Sequence, residues 1–446
     1  MNRSLKDVIV VGFALFSMFL GAGNLIFPPY LGLHSGTAWV PAFIGFALTG
    51  VGLPFLAVYA TLKSGGTVMT LARHVGRPFA VLLSVVVVLS IGPMFAIPRT
   101  AATTFEVGVS TILPNVSATA SSLVFFALVL AITINKSRVI DRLGKYLTPF
   151  LLLTLLAIIV ASFVHPVGTP GAPAEPVYNF AGGFTEGYQT MDALAATMFA
   201  GVALSNIVNR GYKRLSDQLN LTIKCGMIAA ALLAIVYLGL TYGGAGASSV
   251  LAPDIERTTL LIQMTDGLLG SFGAYCLSVA VALACLTTAV GLTTTCGDYF
   301  ESLSKGRLNY KLVVILTVLI SALISILGVT AIINLAVPFL YLVYPVITAL
   351  VVANCFDRFI PNKMAYIGIV LGAFLISFID ALGTAAGIGL TGGWIDSLLA
   401  FEAKLPLAQF SLAWIIPAVL LGVVFSFIPD KRNHDDAPVQ EIFSED

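Results

Sequence analysis

Residues 8–62 contain no aspartate, glutamate, lysine or arginine. Soluble proteins place charges on roughly a quarter of their residues, so a run this long without one has no means of covering a water-facing surface. A membrane crossing takes about 20 predominantly apolar residues, and the run therefore holds two spans, 8–31 and 38–62, which form a helical hairpin about a tight turn. Ten further apolar segments follow, at 79–98, 116–134, 146–165, 188–208, 222–243, 269–296, 312–328, 331–354, 365–383 and 411–428. The whole chain is 58% hydrophobic and 10% charged, with a mean hydropathy of +0.97. No polar stretch is long enough to be a soluble domain.

The basic residues test this count independently. With a cytoplasmic N-terminus and twelve spans, the inner segments hold 20 of the 23 lysines and arginines. Only Arg99, Arg257 and Lys404 remain for the outer side. That is the asymmetry expected of cytoplasmic loops, and a miscounted span would invert it downstream, so both termini are expected inside. Arg3 and Lys6 precede a short apolar run, as in a cleaved leader. The run continues through Asn24 to Leu31, however, and is read as the first span. A net charge of +1 without a basic patch gives no argument for nucleic acid. The polar tail 431–446 is expected to be disordered.

Within the first span lies Ser17-Met18-Phe19-Leu20-Gly21-Ala22-Gly23-Asn24-Leu25-Ile26-Phe27-Pro28-Pro29. Two glycines two residues apart weaken helical continuity, and Asn24 is the only side-chain amide of the span. Opened backbone is tolerated at membrane depth only where it is buried in protein or lines a cavity. A half-helix N-terminus offers free amides and a positive dipole end to a carboxylate, while unwound carbonyls suit Na⁺ or an ammonium. The amides near Ala22 and Gly23 are thus candidates for a carboxylate, and the Asn24 oxygen for a cation. The glycines alone fit a close helix-packing notch equally well.

Span 1 starts inside and span 6 outside, so two five-span units related by inversion would make them counterparts. Span 6 weakens in Phe199-Ala200-Gly201-Val202-Ala203, followed by Ser205 and Asn206. Paired interruptions of this kind point to a transporter's binding site. Span 8 carries Ala284-Cys285-Leu286-Thr287-Thr288-Ala289, then Thr293, Thr294 and Thr295. Most membrane threonines bond their own preceding carbonyls, but adjacent hydroxyls beside a carbonyl can also complete an oxygen shell around a cation.

Leu20-Gly21-Ala22-Gly23-Asn24 with Phe27-Pro28 resembles the unwound first helix of LeuT-type sodium symporters, and Ala284-x-Leu286-Thr287-Thr288 resembles their sodium-binding stretch on helix 8. Met94-Phe95-Ala96-Ile97-Pro98-Arg99-Thr100 and Glu186-Gly187-Tyr188-Gln189-Thr190-Met191-Asp192 are similar to the bacterial branched-chain amino acid carrier family, BrnQ or LIV-II, over essentially the whole chain. The resemblance implies an all-α 5+5 inverted repeat in one domain, 1–430. Repeat one would be 8–165, repeat two 188–354, and 365–428 two peripheral helices. It also implies Na⁺-coupled uptake of leucine, isoleucine and valine across a bacterial inner membrane, with the lipid bilayer and a small-molecule substrate as partners and no obligate protein partner.

Carried over residue by residue, Asn24 would bind a sodium ion near the substrate. Thr287 and Thr288, with the carbonyls of Ala284, Ser17 and Leu20, would form a second sodium site. The amides of Ala22 and Gly23 would face the carboxylate, with Phe199, Ala200 and Gly201 of span 6 beside the side chain. A proton-coupled carrier of other hydrophobic amino acids is the alternative, disfavoured because no carboxylate is expected mid-span in the core.

Arg99, Glu106, Glu186 and Asp192 are expected near the outer ends of spans 3 and 6. Arg99 is expected to pair with Asp192 or Glu186 as an outer gate, or as a static interfacial ion pair. His34, His74 and His165 are expected to be solvated, and Trp39, Trp394 and Trp414 to lie in the interfacial belts. Pro93, Pro98, Pro338 and Pro345 are expected to kink spans 3 and 10. The five cysteines lack metal-ligand or redox spacing and read as packing residues. No GxxxxGK[ST] or HExxH motif is present, which argues against an ATP-driven pump and an intramembrane metalloenzyme.

Overall fold

A computed structural model describes residues 3–134, 139–174, 178–385 and 392–429, and every regular element among them is helical. Lys136, Arg138, Pro176 and the tail 431–446 lie outside the described residues. An α-helix satisfies its backbone polar groups within one segment, which an apolar solvent demands, and apolar stretches of this length have no competing solution.

The first apolar run is divided between α1 (Arg3–Phe19) and α2 (Ala22–Ser35). The second comprises α3 (Trp39–Ala47) and α4 (Leu53–Ser64), joined through a π-helical turn at Leu48–Gly52. After the four-residue α5 (Val68–Leu71), one long rod holds α6 (Arg77–Leu89), α7 (Ala96–Thr103) and the short α8 (Ser110–Ile112), linked by π-helical turns at Ser90–Met94 and Thr104–Val109. The rod bends at Gly92, whose ψ of −119° is non-helical, beside Pro93. Then come α9 (Ala118–Thr133), α10 (Val139–Val164), α11 (Phe180–Tyr188), α12 (Asp192–Asn209) and α13 (Leu215–Ala247). α14 (Arg257–Leu303) is kinked at Gly270, where φ is +67°. It is followed by α15 (Tyr310–Ser325), α16 (Val329–Cys355), α17 (Lys363–Ala385), α18 (Gly393–Glu402) and α19 (Ile415–Ser426).

Six stretches of the described residues, among them Arg77–Ile112, Arg257–Leu303 and Val329–Cys355, are long and apolar enough to cross a membrane by length and composition. Large apolar side chains also face outward: Leu123, Leu153, Leu323 and Val419 are all more than half exposed. Large apolar side chains exposed in this number are what a lipid-facing surface requires. Inside, α2 and α13 touch backbone to backbone. A Cβ at Gly32 would lie 1.9 Å from the Thr241 carbonyl oxygen, and one at Gly244 would lie 2.0 Å from that of Pro29. α17 and α19 make a similar contact beside the bundle through Gly368 and Gly372, against the carbonyls of Leu421 and Pro417.

Several sequence expectations are corrected. The third span does not end at residue 98: the rod runs on to Ile112, so Arg99 sits deep in the bundle and is buried. The proline-rich connection after α10 becomes helical at Phe180. That helix is seated by the Thr49 hydroxyl, which donates to the Phe184 carbonyl at 2.8 Å. The segment from Arg257 to the Gly270 kink forms the first part of α14. His34 is buried, with Nδ1–H donating to the Tyr30 carbonyl at 3.0 Å and its ring against Tyr30 and Tyr178. His165 is exposed, as expected. Trp414 is buried beside the peripheral helices instead of lying in a belt.

Candidate functional site

The first helix breaks where the glycines suggest. Leu20 N–H still donates to Phe16, but Gly21 is extended (φ −107°, ψ −169°). Its N–H donates to the Phe19 carbonyl at 2.8 Å and to the Asn24 side-chain oxygen at 3.0 Å. Asn24 thus closes the start of α2 from within, and the N–H groups of Ala22 and Gly23 stand in the first turn, where a helix has no internal acceptors.

The second break is not at 199–203, which lie within the continuous α12. It is at Gln189–Met191. There the chain makes a tight turn, with Gln189, Thr190 and Met191 N–H donating three residues back. Met191 takes φ +63°, a left-handed conformation that few non-glycine residues adopt. Asp192 then opens α12, a position where the helix dipole favours a carboxylate. The turn contains no glycine, so a search for weakened helix by glycine content passes over it. The visible signal was polarity: Gln189, Thr190 and Asp192 fall together in an otherwise apolar span.

The two breaks meet. Asn24 Nδ2 donates to Asp192 Oδ2 at 2.5 Å and also to the Tyr237 hydroxyl of α13. The Tyr237 hydroxyl in turn donates to Asp192 Oδ2 at 3.2 Å. All three residues are buried. Asp192 is therefore not at an outer end but at the centre, and the expectation that the core lacks a mid-span carboxylate does not hold.

Arg99 is corrected as well. It forms no ion pair with Asp192 or Glu186 among the described residues. Its Nη1 donates to the Gln189 carbonyl at 2.6 Å and its Nη2 to that of Thr190 at 3.4 Å, so the guanidinium caps the carbonyls of the second break. Glu186 instead pairs with Arg257 at 3.0 Å, and Arg257 lies over the Tyr30 ring at 3.7 Å. This outer layer sits above Phe27, which both arginines approach, at 5.2 and 5.6 Å from its centroid. Glu106 ties the outer ends together, accepting from the Thr258 hydroxyl at 2.8 Å and from Val329 N–H at 2.9 Å.

A cavity of about 30 Å³ lies between the breaks. Its polar wall comprises Gly21, Ala22, Gly23, Asn24, Arg99, Thr100, Thr190, Asp192 and Thr288, and its apolar wall includes Met18, Phe19, Ile91, Phe199 and Leu292. Since one water needs roughly 10–15 Å³ by this measure, the space is closed down around a volume smaller than an amino acid. Phe199 meets Phe19 edge to face at 6.1 Å. Ala200 and Gly201 do not line the cavity, and Gly201 faces the Gly66 carbonyl.

Of the residues anticipated for a second cation, Thr288 reaches the wall, its hydroxyl 3.6 Å from where a Cβ on Gly21 would stand. The Thr287 hydroxyl donates to the Ala284 carbonyl at 2.9 Å, which leaves its own oxygen able to accept or ligate. Ser17, Leu20, Ala284 and Thr287 do not line the cavity itself.

A bundle with two interrupted helices meeting at a buried polar cavity is the architecture of the LeuT fold. Structural neighbours agree. The chain matches MhsT in complex with L-phenylalanine at a TM-score of 0.57 and 16% identity, over 94% of this chain and 98% of that one. It matches an Eremococcus coleocola manganese transporter mutant at a TM-score of 0.62 and 13% identity, over 96% of each chain. It also matches Mhp1, a nucleobase-cation-symport-1 family transporter, at 0.58 and 14% identity, over 94% and 91%. At these identities the likeness speaks for the fold alone.

The family follows from sequence: residues 4–432 match the model of the branched-chain amino acid transport protein family, and the chain belongs to it. The branched-chain amino acid permease BraB of Bacillus subtilis is 37% identical over 433 residues, 95% of each protein. The branched-chain amino acid transport system 2 carrier protein of Pseudomonas aeruginosa is 38% identical over 434 residues, covering 95% of this chain and 96% of that protein.

Proposed function

We propose that the protein is a secondary active transporter that takes up leucine, isoleucine and valine with Na⁺ by alternating access. The observation carrying this reading is the meeting of the two breaks through Asn24 and Asp192 beside an apolar wall. On that reading the carboxylate lies at the Ala22 and Gly23 amides, and the branched side chain lies among Met18, Ile91 and Phe199. One sodium ion is held by Asn24 with the Asp192 carboxylate, and a second by Thr288 and Thr287 with the carbonyls of Ala284, Ser17 and Leu20. An apolar pocket separates substrates differing by one methylene by only about 1–3 kcal/mol, so the three amino acids are expected to compete.

The proposal includes a single domain over 1–430 with twelve spans, inverted repeats and both termini cytoplasmic in a bacterial inner membrane, supported by the placement of the basic residues. Proton coupling is a second reading, favoured by the buried Asp192 carboxylate, since intramembrane carboxylates are the usual carriers of protons. Leucine uptake into proteoliposomes under an imposed Na⁺ gradient or an imposed H⁺ gradient separates the two. Accumulation driven by neither gradient would overturn the transport mechanism proposed.

A further inference from the structure

We infer that Arg99 is a substrate-binding residue that pairs with the carboxylate of the transported amino acid, and so sets the preference for free acids over neutral or cationic analogues. The inference rests on the transporter reading above and concerns how its substrate is recognised.

Arg99 is 4% exposed. A buried guanidinium with no ion-pair partner in direct contact is costly, and the two carbonyls it reaches satisfy only part of its five-donor fork. Its Nε has no hydrogen-bond partner among the described residues, and the side chain lines the cavity. The guanidinium also presses on the N-terminal turn of α2, because a Cβ on Gly23 would stand 2.7 Å from Nη2. That turn is the positive end of a 14-residue helix. Two positive groups thus converge on one small space, an arrangement that becomes favourable when an anion joins them.

The remaining polarity of the cavity fits the other end of a zwitterion. Asp192 and Thr190 line the same space as Arg99, with the Asp192 carboxylate held by Asn24 and Tyr237. An α-amino acid would place its carboxylate between Arg99 and the Ala22 and Gly23 amides, and its ammonium toward Asp192. Gly23 is glycine because any side chain there would push the guanidinium out of the site.

The test compares binding of leucine and leucinamide to the full-length detergent-purified protein. Wild type is expected to favour leucine strongly. Arg99→Gln should weaken leucine about 10–100-fold, the range for losing a charge-assisted hydrogen bond, while leucinamide changes little, so the acid-to-amide ratio falls toward one. Arg99→Lys should keep part of the ratio, and Gly23→Ala, which retains the arginine but crowds its guanidinium, should lower it. If Arg99→Gln is not monodisperse, the Lys and Gly23→Ala variants carry the comparison. An unchanged acid-to-amide ratio in the folded variants, with both ligands weakened together, would overturn the inference and leave Arg99 as a clamp on the second break. Failure of wild type to bind any branched-chain amino acid would instead overturn the proposed function.

Discussion

Asn24 on the first turn of α2 donates to the carboxylate of Asp192 on the first turn of α12, joining two helix breaks separated by 168 positions in the chain. Each residue follows an interruption and stands where its own helix dipole is positive. The link makes the breaks one unit, because moving either half-helix pulls on a buried, hydrogen-bonded charge.

Asp192→Asn separates the roles of that charge and that hydrogen bonding. The amide keeps the shape and an acceptor for Tyr237, so the fold should survive. Accumulation of leucine against its gradient should fall at least about tenfold, since a charge-assisted contact to a cation contributes roughly 1.5–3 kcal/mol. Counterflow exchange, which needs no net coupling, should fall less. Proteoliposome uptake and counterflow, measured on the same preparation, decide it. Wild-type accumulation in the variant would remove Asp192 from ion coupling.

Glu186 and Arg257 form the only outer pair among the described residues that stacks on aromatic rings above the cavity, with side chains 12% and 19% exposed. Removing one partner strands the other in a partly buried setting, at a cost of about 3–5 kcal/mol for a fully buried pair and less here. Glu186→Gln and Arg257→Gln should each lower thermal stability, while the double variant recovers most of the loss. Strict additivity of the two single effects in a melting assay would show that the pair is not coupled.

Thr288 stands beside Gly21 at the first break, while Thr287 is turned to its own helix through the Ala284 carbonyl. If a sodium ion sits between span 1 and span 8, Thr288→Ala removes a ligand and should raise the half-saturating Na⁺ concentration roughly tenfold, the equivalent of about 1.4 kcal/mol. Thr293→Ala, five residues on and away from the cavity wall, is the matched control. Equal Na⁺ dependence in both variants would place the ion elsewhere.

The sequence made some of this legible and hid the rest for identifiable reasons. The break at Leu20–Gly21 could be read because Gly21 and Gly23 carry a backbone signal and Asn24 a chemical one, and both are local. The break at Gln189–Met191 could not be read that way, because its left-handed residue is Met191 and its turn is held by backbone hydrogen bonds and by Arg99, which is distant in sequence. The same gap misplaced Asp192 and Arg99. Hydropathy ends a span at the first cluster of polar residues, whereas the rod Arg77–Ile112 carries Arg99, Thr100, Thr103 and Thr104 inside the bundle, where protein and not lipid surrounds them. Phe199 reached the cavity despite a wrong local reason, because α12 places it two turns beyond Asp192 on the side lined by Ala195.

A close backbone approach in the core yields a last prediction. Where α2 crosses α13, Gly32 and Gly244 let carbonyls of the opposite helix come within 2.0 Å of the point a Cβ would occupy, a separation that no real side-chain atom can accept. The contact holds the half-helix bearing Asn24 against the helix bearing Tyr237, so it fixes the distance over which those two residues bond. Gly244→Val should therefore displace α2 bodily, costing more than the roughly 1–3 kcal/mol typical of overpacking, and the protein should aggregate on extraction. Gly291, in α14 with nothing within 4 Å of its would-be Cβ, should accept alanine with a gain of about 0.5–1 kcal/mol from helix propensity. Melting of the two variants in detergent checks both signs, and a stable, active Gly244→Val protein would mean that α2 and α13 are not packed as described.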